Sequence, residues 1–187
     1  MIGLDATYAP AWRALGERYY DSHYSDGGEA MFQRSTAAQE RALALDPDYS
    51  DAASLLISNR VERGELGKVY KDAKALVARH PENAMAHFAL GYVLRYGGIL
   101  QESEQQCDTA LSLDPGNYQF RSCAFTFDLT GNTERGMDSL RLDPGSAWVL
   151  ANLPLHFARA GKTDEARESA KKNVWQRSLQ WGHDRLL

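Results

Sequence analysis

Apolar and small residues recur at helical spacing through two neighbouring stretches, "DAASLLISNRVERG" and "LGKVYKDAKALVARH", which Gly64 separates and Pro81 closes. A period near 3.6 residues predicts an amphipathic helix for each. The next pair has the same plan: "AMAHFALGYVLRYGG" runs to Gly97-Gly98, and "ILQESEQQCDTALSL" runs to Asp114-Pro115. Glycine supplies the left-handed residue that stops the first helix of a pair. Proline cannot donate a backbone hydrogen bond, so it stops the second and turns the chain.

The stops are periodic. Pro47, Pro81 and Pro115 are spaced by 34 residues, Pro144 follows after 29, and Ala6 in "GLDATYAP" holds the matching place 41 residues before Pro47. Each unit begins three residues after its stop, at Ala9, Ser50, Ala84, Tyr118 and Ala147. The expected organisation is one domain over residues 1–187, with units at 9–49, 50–83, 84–117, 118–146 and 147–172. A helical cap is expected over 173–187, where Val174, Trp175, Leu179 and Leu186 keep partial periodicity, because an array must cover its last apolar face.

A helix-turn-helix period of this length resembles the tetratricopeptide repeat, whose pattern is W-x2-L-G-x2-Y followed by Ala, an aromatic, Ala and Pro. The first unit carries Trp12, Leu15, Gly16 and Tyr19, then Ala42 and Pro47. The third carries Leu90, Gly91, Ala110 and Pro115, with Cys107 at the aromatic place; the second keeps Leu56, Gly64 and Pro81, and the fifth Leu153, Gly161, Ala166 and Ala170. The fourth departs furthest: Phe125 stands where a small residue belongs, and its second helix, "TERGMDSLRL", is short. The resemblance spans residues 4–172 and implies an all-α, right-handed α-solenoid of five hairpins with a C-terminal capping helix.

The resemblance also implies that the second, fifth, ninth and twelfth places of each first helix point into a concave groove. By phase these are Arg13, Glu17 and Tyr20 in the first unit and Asp51, Ser54, Ser58 and Val61 in the second. The third gives Met85, Phe88, Tyr92 and Arg95, the fourth Gln119, Ser122, Thr126 and Leu129, and the fifth Trp148 and Leu155. Phe88, Tyr92 and Arg95 share one helix face, a combination enriched at protein interfaces. Two readings stand for the aromatics: partner anchors, or packing between neighbouring units. Chaperone-binding members of the family use a Lys, Asn and Arg clamp for a C-terminal carboxylate. The corresponding places here hold Arg13 and Glu17, Leu55, and Met85 and Ala89, so an acidic EEVD-type tail is not the expected ligand.

Two interruptions stand out. The first unit has seven extra residues, in "YYDSHYSDGGEAMF"; it reads first as a tolerated surface insertion and second as a Tyr-rich lip beside the groove. Pro154 falls inside the first helix of the fifth unit, where a bend near Asn152 is expected. The chain also opens on what looks like the tail of a previous unit, which suggests a segment of a longer polypeptide or an unusually short start.

Composition narrows the function classes. With 43% hydrophobic and 25% charged residues, the 187-residue chain can bury a core. A net charge of −4 without massed Lys or Arg gives no field for nucleic acid. No apolar run is long enough to span a membrane and no signal peptide opens the chain, so a cytoplasmic location is the default. Cys107 and Cys123 read as reduced, buried thiols.

Catalytic and metal constellations are missing from the sequence. His23, His80, His87, His156 and His183 lie in different units or turns, and no pair has the i, i+4 spacing of two ligands on one helix. His80 suits a helix C-terminus and His87 a packing role. The double glycines lack a phosphate-loop context. No cofactor, metal or enzymatic activity is expected. The expected function is a protein-interaction scaffold holding a partner's segment or helix, with self-association as the alternative. The general style is also similar to tetratricopeptide regions of bacterial signalling proteins.

Overall fold

The computed structural model describes residues 6–22 and 28–172, which are helical with short turns and contain no strand. The expected cap over 173–187 and residues 23–27 of the insertion lie outside the described residues. The chain gathers into two compact units, Met1–Pro115 and Gly116–Leu187.

The first unit holds three helical hairpins. They are α1 (Ala9–Ser22) with α2 (Gly28–Leu45), α3 (Ser50–Glu62) with α4 (Leu66–Arg79), and α5 (Ala84–Tyr96) with α6 (Leu100–Leu113). Within each hairpin the two helices pack together, α3 packs on α5, and the second helix of one hairpin rests on the first of the next. This is the helical-repeat arrangement that the hydrophobic pattern predicts.

Local chemistry sets the turns. Gly64 and Gly98 take φ of +80° and +76°. In that left-handed conformation the following amides reach back, Glu65 N–H to Arg60 O at 3.1 Å and Ile99 N–H to Leu94 O at 2.9 Å, closing the helix ends. The second helices end differently. His80 and Asp114, each preceding a proline, leave the helical region at φ −130° and −144°, as the proline ring requires of its neighbour. Asn83 then starts α5 by accepting the Ala86 N–H at 2.8 Å.

Close packing depends on small residues. Ala42, Ala52, Val69, Ala73, Ala86, Ala89 and Ala110 are fully buried. At Gly16 an added Cβ would lie 2.2 Å from Gln39 Nε2, and that amide donates to Arg13 O at 3.1 Å. At Gly91 a Cβ would approach Ser103 O to 3.3 Å, where Ser103 Oγ donates to Gly91 O at 2.7 Å. The motif glycines are the points where the paired helices touch.

The second unit begins with a 3-10 helix, Tyr118–Ser122, which leads into α7 (Cys123–Leu129), α8 (Thr133–Leu140) and α9 (Ala147–Arg159). A further helix, α10, covers 163–172 of the described residues. Gly131 and Gly161 end α7 and α9 at φ +87° and +73°. The eight residues of α8 compare with 14 in α4 and α6. Here the contact glycine moves to the second helix: a Cβ at Gly136 would lie 3.2 Å from Ala124 O and 2.5 Å from Asp128 Oδ1. Ala124, Leu140 and Val149 form a core with Met137, Trp148 and Leu153 packed against it. Pro154 is accommodated inside α9, whose span is continuous. Two residues earlier, Asn152 Nδ2 donates to Trp148 O at 2.8 Å.

One expectation is corrected. Cys107 and Cys123 are not reduced thiols; both are buried and disulfide-bonded.

Candidate partner-binding groove

In the first unit the face built by α1, α3 and α5 carries most of the expected groove residues. Arg13 donates to the Glu17 carboxylate one turn later at 2.5 Å. Beside them burial raises the Tyr49 phenol, with the Asp51 carboxylate pushing the same way and Arg13 opposing. Asn83 Nδ2 donates to Ser50 Oγ at 2.9 Å and to Asp51 Oδ1 at 3.3 Å, so one amide ties α3 to the start of α5.

Ser54 and Ser58 lie deeper, 1% and 6% exposed. Their hydroxyls donate back to Ser50 O at 2.8 Å and Ser54 O at 3.2 Å. Phe88 and Tyr92 are each only 7% exposed, with ring centroids 5.9 Å apart. Both are committed largely to packing between hairpins.

Tyrosine hydroxyls meet around Glu62 at the far end of the face. Tyr92 Oη donates to Glu62 Oε1, and Tyr96 Oη donates to the same oxygen at 3.1 Å. The Tyr92 and Tyr96 rings lie 5.1 Å apart. The Arg95 guanidinium covers both, 4.5 Å and 5.4 Å from their centroids. Burial drives the Tyr92 phenol well above its ordinary range, helped by the nearby Tyr20 and Glu62, while Arg95 opposes. Tyr20 thus brings α1 to the same cluster. Its ring lies 6.2 Å from Phe32, and Arg63 covers Phe32 at 5.3 Å. The described edges of the first-unit insertion therefore rest beside this end of the face.

Glu62 and Tyr96 were not among the expected groove residues. Each stands one place beyond the twelfth, where the phase rule stops. The i, i+4 step from Tyr92 to Tyr96 was the available signal. Tyr96 is 46% exposed, and with Glu62, Arg95 and Tyr20 it supplies the accessible part of the cluster.

Gln119 and Trp148 fall in the second unit. Gln119 N–H donates to the capping Asn117 Oδ1 at 3.0 Å. Trp148 meets Phe125 edge-on at 5.6 Å, and Arg121 lies over the Trp148 and Tyr118 rings at 5.2 Å and 5.3 Å. Arg121 Nε is also 3.3 Å from Asp143 Oδ2. His87 has a structural setting, with Nε2 2.9 Å from Pro81 O and Nδ1 2.7 Å from Gln106 Oε1. Among the described residues no group of three or more His, Cys, Asp or Glu side chains gathers to hold a metal.

No family model matches the sequence, and no curated protein matches it. Solved structures do match in fold. TTC0263, a thermophilic TPR protein from Thermus thermophilus, superposes with a TM-score of 0.66 at 18% identity, over 96% of this chain and all of that one. The MamA protein gives 0.57 at 16% identity, over 93% of this chain and 94% of that one. A chain of the APC/C hetero-tetramer Cut9-Hcn1 gives 0.73 at 20% identity over 92% of this chain and 33% of that one. Together with the periodic stops, the contact glycines and the paired helices, these matches show that the chain has the all-α helical-repeat fold of tetratricopeptide-repeat proteins.

Proposed function

We propose that the chain is a protein-interaction scaffold whose first unit holds a segment or helix of a partner protein along the groove face of α1, α3 and α5. The observation that carries this reading is the Tyr20–Glu62–Tyr92–Arg95–Tyr96 cluster, drawn from three successive first helices. Rigid aromatics and a stacked Arg are the side chains that dominate interface energies, because they bury large area with little rotamer loss. Arg13, Glu17 and Asp51 would set register at the other end. Ser54 and Ser58 would act through the floor, and Phe88 and Tyr92 by positioning Arg95 and Tyr96. Gln119 and Trp148 would offer contacts of their own on the second unit.

A structural relative crystallised within an assembly, the APC/C hetero-tetramer Cut9-Hcn1, supports the interaction class. We read no enzymatic activity into the site. No helix among the described residues is long and apolar enough to cross a membrane. A photo-crosslinking phenylalanine placed at Tyr96 tests the reading, with the same group at the exposed Lys71 of α4 as control. Crosslinking of a partner from position 96 alone supports it. Equal labelling from both positions overturns it.

A further inference from the structure

A second group of charged residues lies inside the second unit. Asp128 occupies the eleventh place of the fourth hairpin's first helix, where the first and third hairpins have Tyr19 and Leu94. Its side chain and that of His156 on α9 are both 0% exposed, and His156 Nδ1 pairs with Asp128 Oδ2. Arg159, one turn further along α9, stands 3.8 Å from the same oxygen. From α8 the neighbour is Gly136, which leaves room for the Asp128 carboxylate. Phe125 packs on the imidazole with centroids 4.9 Å apart. Among the described residues His156 Nε2 has no hydrogen-bond partner. Asp128, His156 and Arg159 are the titratable or charged groups brought together here. Arg135 is turned onto Phe127 at 4.3 Å, and Arg121 onto Tyr118, Trp148 and Asp143.

We infer that this buried pair makes the seat of α9 on α7 a pH-sensitive clasp, closed at neutral pH and released when His156 takes up a proton in mildly acid solution. The closed state has an N–H of Nδ1 donating to a carboxylate that Arg159 also faces. A second imidazole proton falls on Nε2, against Phe125 and without an acceptor among the described residues, where an unpaired N–H is costly. Burial accordingly holds the imidazole below its ordinary range, although Asp128 pulls it up, and burial raises the Asp128 carboxyl.

The sign follows from linkage. In the unfolded or opened state His156 binds its proton near pH 6.5 (about the free value), whereas the closed state resists it, so the clasp weakens as pH falls below that point. Asp128 works the other way at lower pH, because its raised carboxyl is protonated before a free one. The loss is therefore greatest in the mildly acid range.

Amide hydrogen exchange of the full chain, corrected for intrinsic rates, at about pH 7.5 and about pH 5.5 tests this. Protection of 147–159 should fall by up to about tenfold per pH unit below the free histidine value, with no matching loss in α5. The doubly apolar variant Asp128→Leu/His156→Phe should hold its protection level across the same range. Unchanged wild-type protection, or an equal loss in that variant, overturns the clasp. Should the variant fail to fold, the His156 ring resonances of the wild type decide. Ionisation at the ordinary value with α9 still protected contradicts the proposal, and ionisation displaced downward together with α9 opening supports it.

Discussion

At the scale of single residues, Tyr92 shows how one side chain can serve both packing and site architecture. Its ring lies between Phe88 and Tyr96 while its hydroxyl is held by Glu62. A phenol whose folded pKa is raised contributes stability that is present below about pH 10 and is lost as pH climbs toward the folded value. Alkaline titration followed by tyrosinate absorbance should therefore show, among the nine tyrosines, a last step at Tyr92 that comes with unfolding and after the less strongly raised Tyr49, and Tyr92→Phe should remove that last step. Gly16 gives a second test. Alanine there displaces the buried Gln39 amide from Arg13 O, and leaving that polar group without its partner costs about 1–3 kcal/mol. Better helix propensity returns only about 1 kcal/mol, so Gly16→Ala should lower the thermal midpoint. The sequence marked Gly16 as a contact glycine. It could not mark Glu62, because a charged residue at a helix end looks like any solvated one until Tyr92 and Tyr96 are seen to converge on it.

For helices and turns, the stops were legible because they are backbone effects confined to a few residues. Gly64 and Gly98 end first helices with φ near the left-handed value, and His80 and Asp114 are pushed out of the helix by the prolines that follow. Gly98→Ala should cost about 1–2 kcal/mol in urea melts, the penalty of a Cβ in that conformation. The fourth hairpin was harder to read. Its glycine contact sits on α8 and its eleventh place holds a carboxylate, so the hydrophobic period that identifies a helix there says nothing about what Asp128 meets. Removing one member of that pair should be severe: His156→Ala leaves the buried carboxylate with only the more distant Arg159, a loss of about 3–5 kcal/mol on breaking a buried pair.

On the scale of the whole molecule, the residues with period near 34 carried the repeat fold. The disulfide state of Cys107 and Cys123 had no local signature, since it depends on the redox environment. Protein purified without reductant should show no free thiol to Ellman's reagent after denaturation. Titration of two thiols would contradict the oxidised state. The measurement that bears most directly on the groove is a quantitative comparison of proteins co-purifying with the full chain and with two variants of equal helicity. Arg95→Ala/Tyr96→Ala alters the accessible cluster, and Lys71→Ala/Lys74→Ala alters the exposed face of α4. The account predicts that at least one specific partner is lost from the first variant and kept by the second; equal recovery of every partner by both would contradict it.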